Sequence, residues 1–325
     1  MRRRILPLVL MMLLLGGCAS RPAAPRIAVL ISDDVRMHKA EGLRAGLAEL
    51  GYGNAEVTVI SAGGDREALP EKAREALADH PDVVVAGGGV EAVSLKAEAP
   101  PTVPVVMMGV ASTVRTGLVR SLVSPGCNLT GLDNQHAELS AKRLELLTKL
   151  LPEARRVLLL YDPQVVPGVH ALEITEAAAV QLGVAVETLT VTSLDALLED
   201  LRALRPGQFD AALLLPGYVL ESGARQVTAE LERLRIPAMG PLDLEGEGGL
   251  LAAYGVSMWD QGVQSARFVV KVLRGEDPAR IPVETPDNPV LVVDMRVAER
   301  MGLTLSPVGM AFARAITANG AGELP

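Results

Sequence analysis

The chain has 325 residues and a formal net charge of −8, and 49% of its residues are hydrophobic. This length fits two domains of about 150 residues, and the hydrophobic fraction excludes a disordered or collagen-like chain. The acidic balance argues against nucleic-acid binding, which needs a basic surface. Aromatic residues make up only 2% of the chain, so the position of each ring is informative.

The first eighteen residues have the features of an export signal. Residues 2–4 are three arginines, and a largely apolar run follows over 5–15. That run is too short to span a bilayer but has the length of a signal-peptide core. The segment 15–18 (LGGC) resembles a bacterial lipobox. We predict a signal peptide over 1–17, lipidation of Cys18 and a tether over 18–25; the alternative is a secretory signal with an incidental cysteine.

Cysteine and histidine usage predicts neither a disulfide nor a metal site. If Cys18 carries lipid, Cys127 is left without a partner for an intramolecular disulfide. We expect Cys127 to behave as a small apolar residue. The four histidines show no spacing typical of metal ligands.

The first half of the mature chain alternates apolar strands with helices. Strands are predicted over 26–32, 56–61, 82–86 and 103–110. Helices are predicted over 37–50, over 69–80 and from a glycine turn at 87–89 to about residue 97. Near-continuous valine-rich runs separated by helices are typical of a parallel sheet that is covered on both faces. The pattern predicts one doubly wound domain.

The same alternation restarts after residue 131. Helices are predicted over 137–151, 171–182, 194–204, 223–233 and 264–274, and strands over 156–161, 184–191, 211–215, 236–240 and 250–254. A short connection at 128–134 joins the two halves and is predicted to act as a hinge. The fold class is therefore α/β, with two doubly wound parallel-sheet lobes and a cleft between them.

Ligands of open α/β sheets bind beyond the carboxyl ends of the strands. Three of the four tyrosines, Tyr161, Tyr218 and Tyr254, lie at the carboxyl ends of predicted strands. In a chain with so few rings this placement predicts a ligand-contacting face. The alternative is that each is a half-buried tyrosine with a solvated hydroxyl.

Polar residues and glycines at the carboxyl ends of the predicted strands are further candidate ligand contacts. They are Ser32, Asp34, Gly88, Gly89, Ser112, Asp162 and Asp243. Glycines before a helix allow close approach of an anion such as a carboxylate. Serine hydroxyls can donate to it, and an aspartate can pair with a ligand ammonium. Each aspartate also fits an ordinary role as a turn or cap residue.

No catalytic motif is present in the sequence. A G-x-S-x-G segment is missing, and no serine, histidine and acid can be grouped from their spacing. The glycine turn is not followed by the G-x-G-x-x-G pattern or by a phosphate-binding lysine. We therefore predict that the chain is not an enzyme, has no catalytic residues and needs no cofactor or metal.

Several stretches carry a resemblance to a known family. They are 49–52 (ELGY), 117–122 (GLVRSL), 125–131 (PGCNLTG), 142–147 (KRLELL), 151–152 (LP), 159–163 (LLYDP), 235–237 (RIP), 248–255 (GGLLAAYG), 273–275 (LRG), 281–283 (IPV) and 291–303 (LVVDMRVAERMGL). They occur in order over most of residues 26–305. The chain resembles the substrate-binding lipoproteins of ABC transporters that include tryptophan- and phenylalanine-binding members, which have a type I periplasmic-binding-protein fold.

The resemblance implies how the lobes are divided and what they do. One lobe would comprise 26–131 and about 255–285, and the other 132–254 and about 286–317. Residues 318–325 are expected to fray as a tail. The lobes would close on a small molecule, either an amino acid, aromatic in some members, or a related small organic acid.

The resemblance also implies partners and a location. The chain would deliver its ligand to an ABC permease driven by a separate ATPase, as a monomer in the periplasm or at the cell exterior. Lipid on Cys18 would hold it at the membrane. Two alternatives remain from the sequence: a ligand-sensing lipoprotein with a signalling partner, or an exported α/β enzyme.

Overall fold

The computed structural model describes residues 24–241, 249–317 and 320–321. The predicted signal peptide, Cys18 and Asp243 lie outside the described residues. In the described part of the chain, no helix is long and apolar enough to cross a membrane. Two residues of the predicted tail, at 320–321, pair antiparallel with the preceding strand.

The first lobe is built on a five-stranded parallel sheet in the order β2-β1-β3-β4-β5. Its strands are Arg26–Ile31 (β1), Glu56–Ser61 (β2), Val83–Ala86 (β3), Val105–Val110 (β4) and Leu129–Asp133 (β5). Its helices are Met37–Glu49 (α1), Leu69–Ala78 (α2), Gly89–Glu98 (α3) and Met258–Leu273 (α9). Alternate residues of each strand face a core under α2 and α3 or one under α1 and α9. The valine-rich runs are therefore buried on both faces.

Helices α1 and α9 approach each other closely enough that their contacts require glycine. A Cβ atom on Gly42 would lie 2.2 Å from the carbonyl oxygen of Trp259, and one on Gly262 would lie 2.1 Å from that of Lys39. The helices therefore meet backbone against backbone. This contact fixes α9 to the first lobe although it follows strands of the second.

The second lobe contains an eight-stranded sheet in the order β13-β12-β11-β10-β9-β8-β6-β7. Its strands are Arg156–Tyr161 (β6), Ala185–Thr190 (β7), Ala211–Leu214 (β8), Ala238–Gly240 (β9), Ala252–Gly255 (β10), Val290–Asp294 (β11), Ala313–Thr317 (β12) and Gly320–Ala321 (β13). Its helices are Ser140–Leu150 (α4), Val166–Leu182 (α5), Leu194–Ala203 (α6), Tyr218–Ser222 (α7), Ala224–Arg233 (α8), Met295–Met301 (α10) and Pro307–Met310 (α11). The pairs β10–β11 and β12–β13 are antiparallel and the others parallel.

Several elements differ from the sequence-based expectation. The segment predicted as a hinge contains a fully buried strand, β5, because Leu129 and Leu132 belong to the first lobe's core. Strands β11 to β13 and helices α7, α10 and α11 were not predicted. Helix α9 begins earlier than expected, since the Ser257 side chain accepts a hydrogen bond from the N–H of Asp260 and caps it.

Within the described residues, the chain passes between the lobes three times, at 134–139, 256–257 and 285–289. The third passage leaves the first lobe beside β5, where Leu132 and Glu284 form a parallel bridge. The Thr130 hydroxyl also donates to the carbonyl of Ile281 at 2.8 Å. Short passages of this kind join two rigid lobes and leave a cleft between them.

Candidate functional site

The cleft between the lobes has a volume of 580 Å³, within the range of small-molecule sites of about 300–1,000 Å³. Its walls are mostly apolar on both sides. They include Leu69, Val90, Val93, Val110 and Leu118 from the first lobe and Val165, Val166, Pro167, Leu214 and Leu220 from the second. Their common position beyond the carboxyl ends of parallel strands is the usual ligand position in such sheets.

A buried arginine organises the charged wall of the cleft. Arg36 donates through Nη1 to the two Glu91 oxygens at 2.7 and 3.0 Å, and through Nη2 to Glu221 Oε2 at 2.7 Å. Glu91 also accepts the N–H of Ser32 at 2.6 Å. Burial alone would lower the pKa of Arg36, but Glu221, Glu91 and Asp33 together raise it. The guanidinium is thus a permanent charge held between carboxylates.

Gly88 makes room for that guanidinium. A Cβ atom on Gly88 would lie 1.7 Å from Arg36 Nη1. The Glu91 carboxylate lies in the first turn of α3, where the helix dipole favours a negative charge. The glycine turn therefore accommodates an internal ion pair.

Lys39 is a second buried cation that lines the cleft. Its Nζ donates to the carbonyls of Gly87 at 2.9 Å, Met108 at 3.0 Å and Gly109 at 3.3 Å. Burial, together with the positive charge of Arg36, lowers its pKa from 10.5 to about 8. The ammonium thereby joins the ends of strands β3 and β4.

Amide and imidazole groups line the cleft beside the first two passages between the lobes. Asn134 donates to the Gly109 carbonyl at 3.1 Å, and Gln261 donates to the Val256 carbonyl at 2.9 Å. Gly109 has a φ of 80°, and a Cβ there would lie 1.8 Å from Gln261 Oε1. Burial and the nearby cations Arg143, Lys39 and Arg36 hold the pKa of His136 well below its usual value, so the imidazole is neutral at pH 7.

Four cleft-lining residues carry a buried polar atom that has no hydrogen-bond partner among the described residues. These atoms are Arg36 Nε, Ser94 Oγ, His136 Nε2 and Gln261 Oε1. Buried polar atoms are normally paired, and each unpaired one costs about 1–3 kcal/mol. Arg36 Nε is a donor, Gln261 Oε1 is an acceptor, and the Ser94 hydroxyl can act as either.

Helix α7 reaches from the second lobe to the first at the edge of the cleft. Besides the Glu221–Arg36 pair, the Ser222 hydroxyl donates to Asp33 Oδ2 at 2.9 Å. The Tyr218 hydroxyl lies 3.4 Å from the Gly64 carbonyl, and the Arg66 guanidinium lies 5.2 Å from its ring centroid. The two lobes are therefore in direct contact along this edge.

Three of the sequence-predicted site residues line the cleft: Gly88, Gly89 and Tyr218. Ser32 lies next to it, where its N–H contacts Glu91. Ser112 is buried, has a left-handed φ of 54° and does not line the cleft.

The remaining predicted residues lie elsewhere. Asp34 is exposed and accepts from the Ser61 hydroxyl at 3.4 Å, and Asp162 accepts the N–H of Gln164 in a buried turn. Tyr161 packs on the second lobe's core, and Tyr254 lines a surface groove with Phe312. The structure thus places Tyr218 at the cleft and the other two tyrosines away from it. In the described ranges, no group of three or more His, Cys, Asp or Glu residues could hold a metal ion.

The sequence analysis missed the buried charges Arg36, Lys39 and Glu91 and the half-buried Glu221. One signal was available for Glu91. It lies four residues before Leu95, one helical turn away, so it falls on the buried stripe of α3. A charged residue on such a stripe predicts a buried partner.

Comparison with known proteins assigns the chain to a family. Residues 26–313 match the family profile described as ABC transporter substrate binding protein. A tyrosine-binding protein of Clostridioides difficile is 24% identical over 193 residues. That match covers 59% of this chain and 55% of the relative, so it spans only about half of the relative's length.

Solved structures share the fold. A conserved domain protein of Vibrio cholerae superposes with a TM-score of 0.82, and a Streptococcus pneumoniae ABC domain in complex with L-Trp with 0.81. Each shares 24% sequence identity with this chain, and each superposition covers 90% of this chain and 99% of the other chain. A ligand-free, open substrate-binding protein of Clostridium difficile, 21% identical over 86% and 95% of the two chains, gives 0.66. These similarities establish the two-lobed fold of type I periplasmic binding proteins.

Proposed function

This chain belongs to the family of ABC transporter substrate-binding proteins, and we propose that it captures an amino acid with an apolar or aromatic side chain for import. The observation that carries this proposal is the composition of the cleft. Apolar walls from both lobes surround a few buried, unpartnered polar atoms. An amino acid needs donors for its carboxylate, an acceptor for its ammonium and an apolar surface for its side chain.

The unpartnered atoms fit those needs. Arg36 Nε and Ser94 Oγ are donors for a carboxylate, and Gln261 Oε1 is an acceptor for an ammonium. The valine and leucine residues of the walls would contact the side chain. The names of the tyrosine-binding relative and of the L-Trp complex support the same ligand class. Lobe closure would then present the loaded protein to an ABC permease and its ATPase.

Isothermal titration calorimetry on protein that has been unfolded and refolded to remove carried ligand tests the proposal. L-Trp, L-Tyr, L-Phe and L-Leu are expected to bind more tightly than L-Lys, L-Asp and sugars. Replacing Gln261 with Leu removes the acceptor and is expected to weaken binding about tenfold or more, because hydrogen bonds to charged groups contribute roughly 1.5–3 kcal/mol. Binding of a sugar in place of every amino acid would contradict the proposed ligand class.

Anchoring through Cys18 is the second part of the proposal. It is supported by the order of three arginines, an apolar run, two glycines and the cysteine. Lipid chains on Cys18 would keep the binding protein close to its permease. Cys18→Ser should move the protein from the membrane fraction to the soluble fraction, and unchanged membrane retention would rule out this anchor.

A further inference from the structure

Helix α7 presents one row of side chains to the opposite lobe. Tyr218, Glu221 and Ser222 are spaced i, i+3 and i+4, so they lie on the same face of the helix. All three contact the first lobe, through Gly64, Arg36 and Asp33 respectively. A single short helix therefore makes three polar contacts across the cleft.

The Arg36–Glu91 pair of the first lobe, which Glu221 contacts, forms without any residue of α7. The Glu91 carboxylate has no solvent exposure, accepts from Ser32 and is paired with Arg36 Nη1. Only Arg36 Nη2 faces Glu221. The first lobe thus offers a fixed donor, and closing the lobes adds a second carboxylate to it.

Helix α7 is itself fixed to the second lobe. Leu220 is buried in that lobe's core with Val227 and Leu231 of α8. Gly223, directly after α7, packs so tightly that a Cβ there would lie 2.5 Å from Leu194 Cδ1. Because α7 is packed against the second lobe in this way, the contact between Glu221 and Arg36 holds that lobe to the first and not merely a surface loop.

A second ion pair between the lobes provides an internal comparison. Arg115 and Glu173 approach to 3.9 Å, and their side chains are 53% and 60% exposed. The Arg36 and Glu221 side chains approach to 2.7 Å and are 5% and 23% exposed. Exposed pairs contribute little because water screens them, whereas shielded charge-assisted hydrogen bonds are stronger.

We propose that Glu221 is a positioning residue that stabilises the closed arrangement of the lobes, including in the absence of ligand, by adding a second carboxylate to the Arg36–Glu91 pair. This rests on the proposed function, in which closure retains the ligand. A closed population that precedes binding would increase the apparent affinity and slow ligand release.

The test is the ratio of closed to open molecules in the ligand-free full chain. Spin labels at Glu71→Cys on α2 and Glu199→Cys on α6, in a Cys18→Ser, Cys127→Ser background, report the distance between the lobes by pulsed dipolar spectroscopy. The parent protein is expected to show a closed population. Glu221→Gln should lower the closed-to-open ratio about tenfold, which corresponds to about 1.4 kcal/mol. Glu173→Gln is the matched control and should change it less than twofold.

Two results would overturn the proposal: a fully open parent protein, or a Glu221→Gln effect no larger than that of Glu173→Gln. Far-ultraviolet circular dichroism of each variant distinguishes a shift in closure from a loss of fold. Because the measurement needs no ligand, it decides the role of Glu221 even if no amino acid binds. The calorimetric experiment separately decides the proposed ligand class.

Discussion

The two arginines that are buried among the described residues, Arg36 and Arg143, are stabilised in opposite ways. Arg36, at the cleft, lies between the carboxylates of Glu91 and Glu221. Arg143, at the hinge, has no solvent exposure and donates to the carbonyls of Tyr254 at 2.7 Å and His136 at 2.6 Å. Burial lowers the pKa of Arg143, whereas the carboxylates around Arg36 outweigh burial and raise its pKa.

The difference follows from what each arginine has to connect. One partner of Arg36 belongs to the other lobe, so part of its environment separates when the cleft opens. Both carbonyl partners of Arg143 lie beside passages between the lobes: His136 within the first, and Tyr254 just before the second. Arg143 therefore connects the first two passages between the lobes, while Arg36 connects two surfaces that move apart.

Replacing the hinge arginine tests this comparison with the largest expected effect. Arg143→Met removes the side-chain donor to the Tyr254 carbonyl and leaves the His136 carbonyl only the Ser140 hydroxyl. It should lower the free energy of unfolding by about 3 kcal/mol. Urea denaturation followed by circular dichroism measures it. Lys142→Met, on the partly exposed neighbour in α4, is the control and should stay within about 0.5 kcal/mol. A loss below 1 kcal/mol for Arg143→Met would show that the carbonyl contacts do not hold the hinge.

Replacing Glu91 with a neutral residue makes the surroundings of Arg36 more like those of Arg143, whose partners are uncharged. Glu91→Gln keeps an acceptor for the N–H of Ser32 but removes a fully buried negative charge. We expect a loss of about 2 kcal/mol in urea unfolding, since Arg36 then keeps only Glu221 as an ion-pair partner. Glu98→Gln, on the same helix but in a partly exposed pair with Arg74, is the control. Equal effects of the two substitutions would contradict the importance of burial.

Lys39 extends the comparison to pH. Its folded-state pKa of about 8 lies below the 10.5 of the unfolded chain, so between these values the unfolded state binds more protons and stability rises with pH. The free energy of unfolding of the wild type relative to Lys39→Met should increase by about 1 kcal/mol between pH 8 and pH 9. A difference that stays flat over this range would show that Lys39 is not deprotonated in the folded protein.

The smallest effect is expected at the outer edge of the cleft. Tyr218→Phe removes a 3.4 Å contact with the Gly64 carbonyl but keeps the ring beside Arg66. Ligand affinity and unfolding free energy should each change by less than about 0.5 kcal/mol. A larger change would mean that the hydroxyl contributes more than its single long contact with Gly64 indicates.

Much of the fold could be predicted because its strands are buried on both faces. Runs such as 82–86 contain only apolar residues after the first position, and helices separate them at regular intervals. Strand β5 was not predicted, because Thr130 and Gly131 separate Leu129 from Leu132 and the short segment shows no alternation of apolar and polar residues. Its strand conformation depends on pairing with β4, which is a tertiary contact.

The cleft was harder to predict than the fold. Its position at the strand ends follows from topology, and Gly88, Gly89 and Tyr218 lie there. The charged residues were missed because arginine, lysine and glutamate are usually exposed. Arg143 falls on the buried stripe of α4 with Ser140, Leu144 and Leu147. Its partners are backbone carbonyls, for which the sequence provides no signal.

The position of Trp259 gives the protein a built-in optical probe. It is the chain's sole tryptophan, lies in the first turn of α9 directly after the second passage between the lobes, and is 42% exposed. Its carbonyl packs against Gly42 of α1, while its side chain borders a groove that Asn288 and Val290 approach from the other side. Bending at 256–257 would move Asn288 and Val290 relative to this indole and is expected to change the polarity around it. Its intrinsic emission should therefore shift as the lobes rotate, which allows rapid-mixing fluorescence of the unlabelled protein to time each opening and closing.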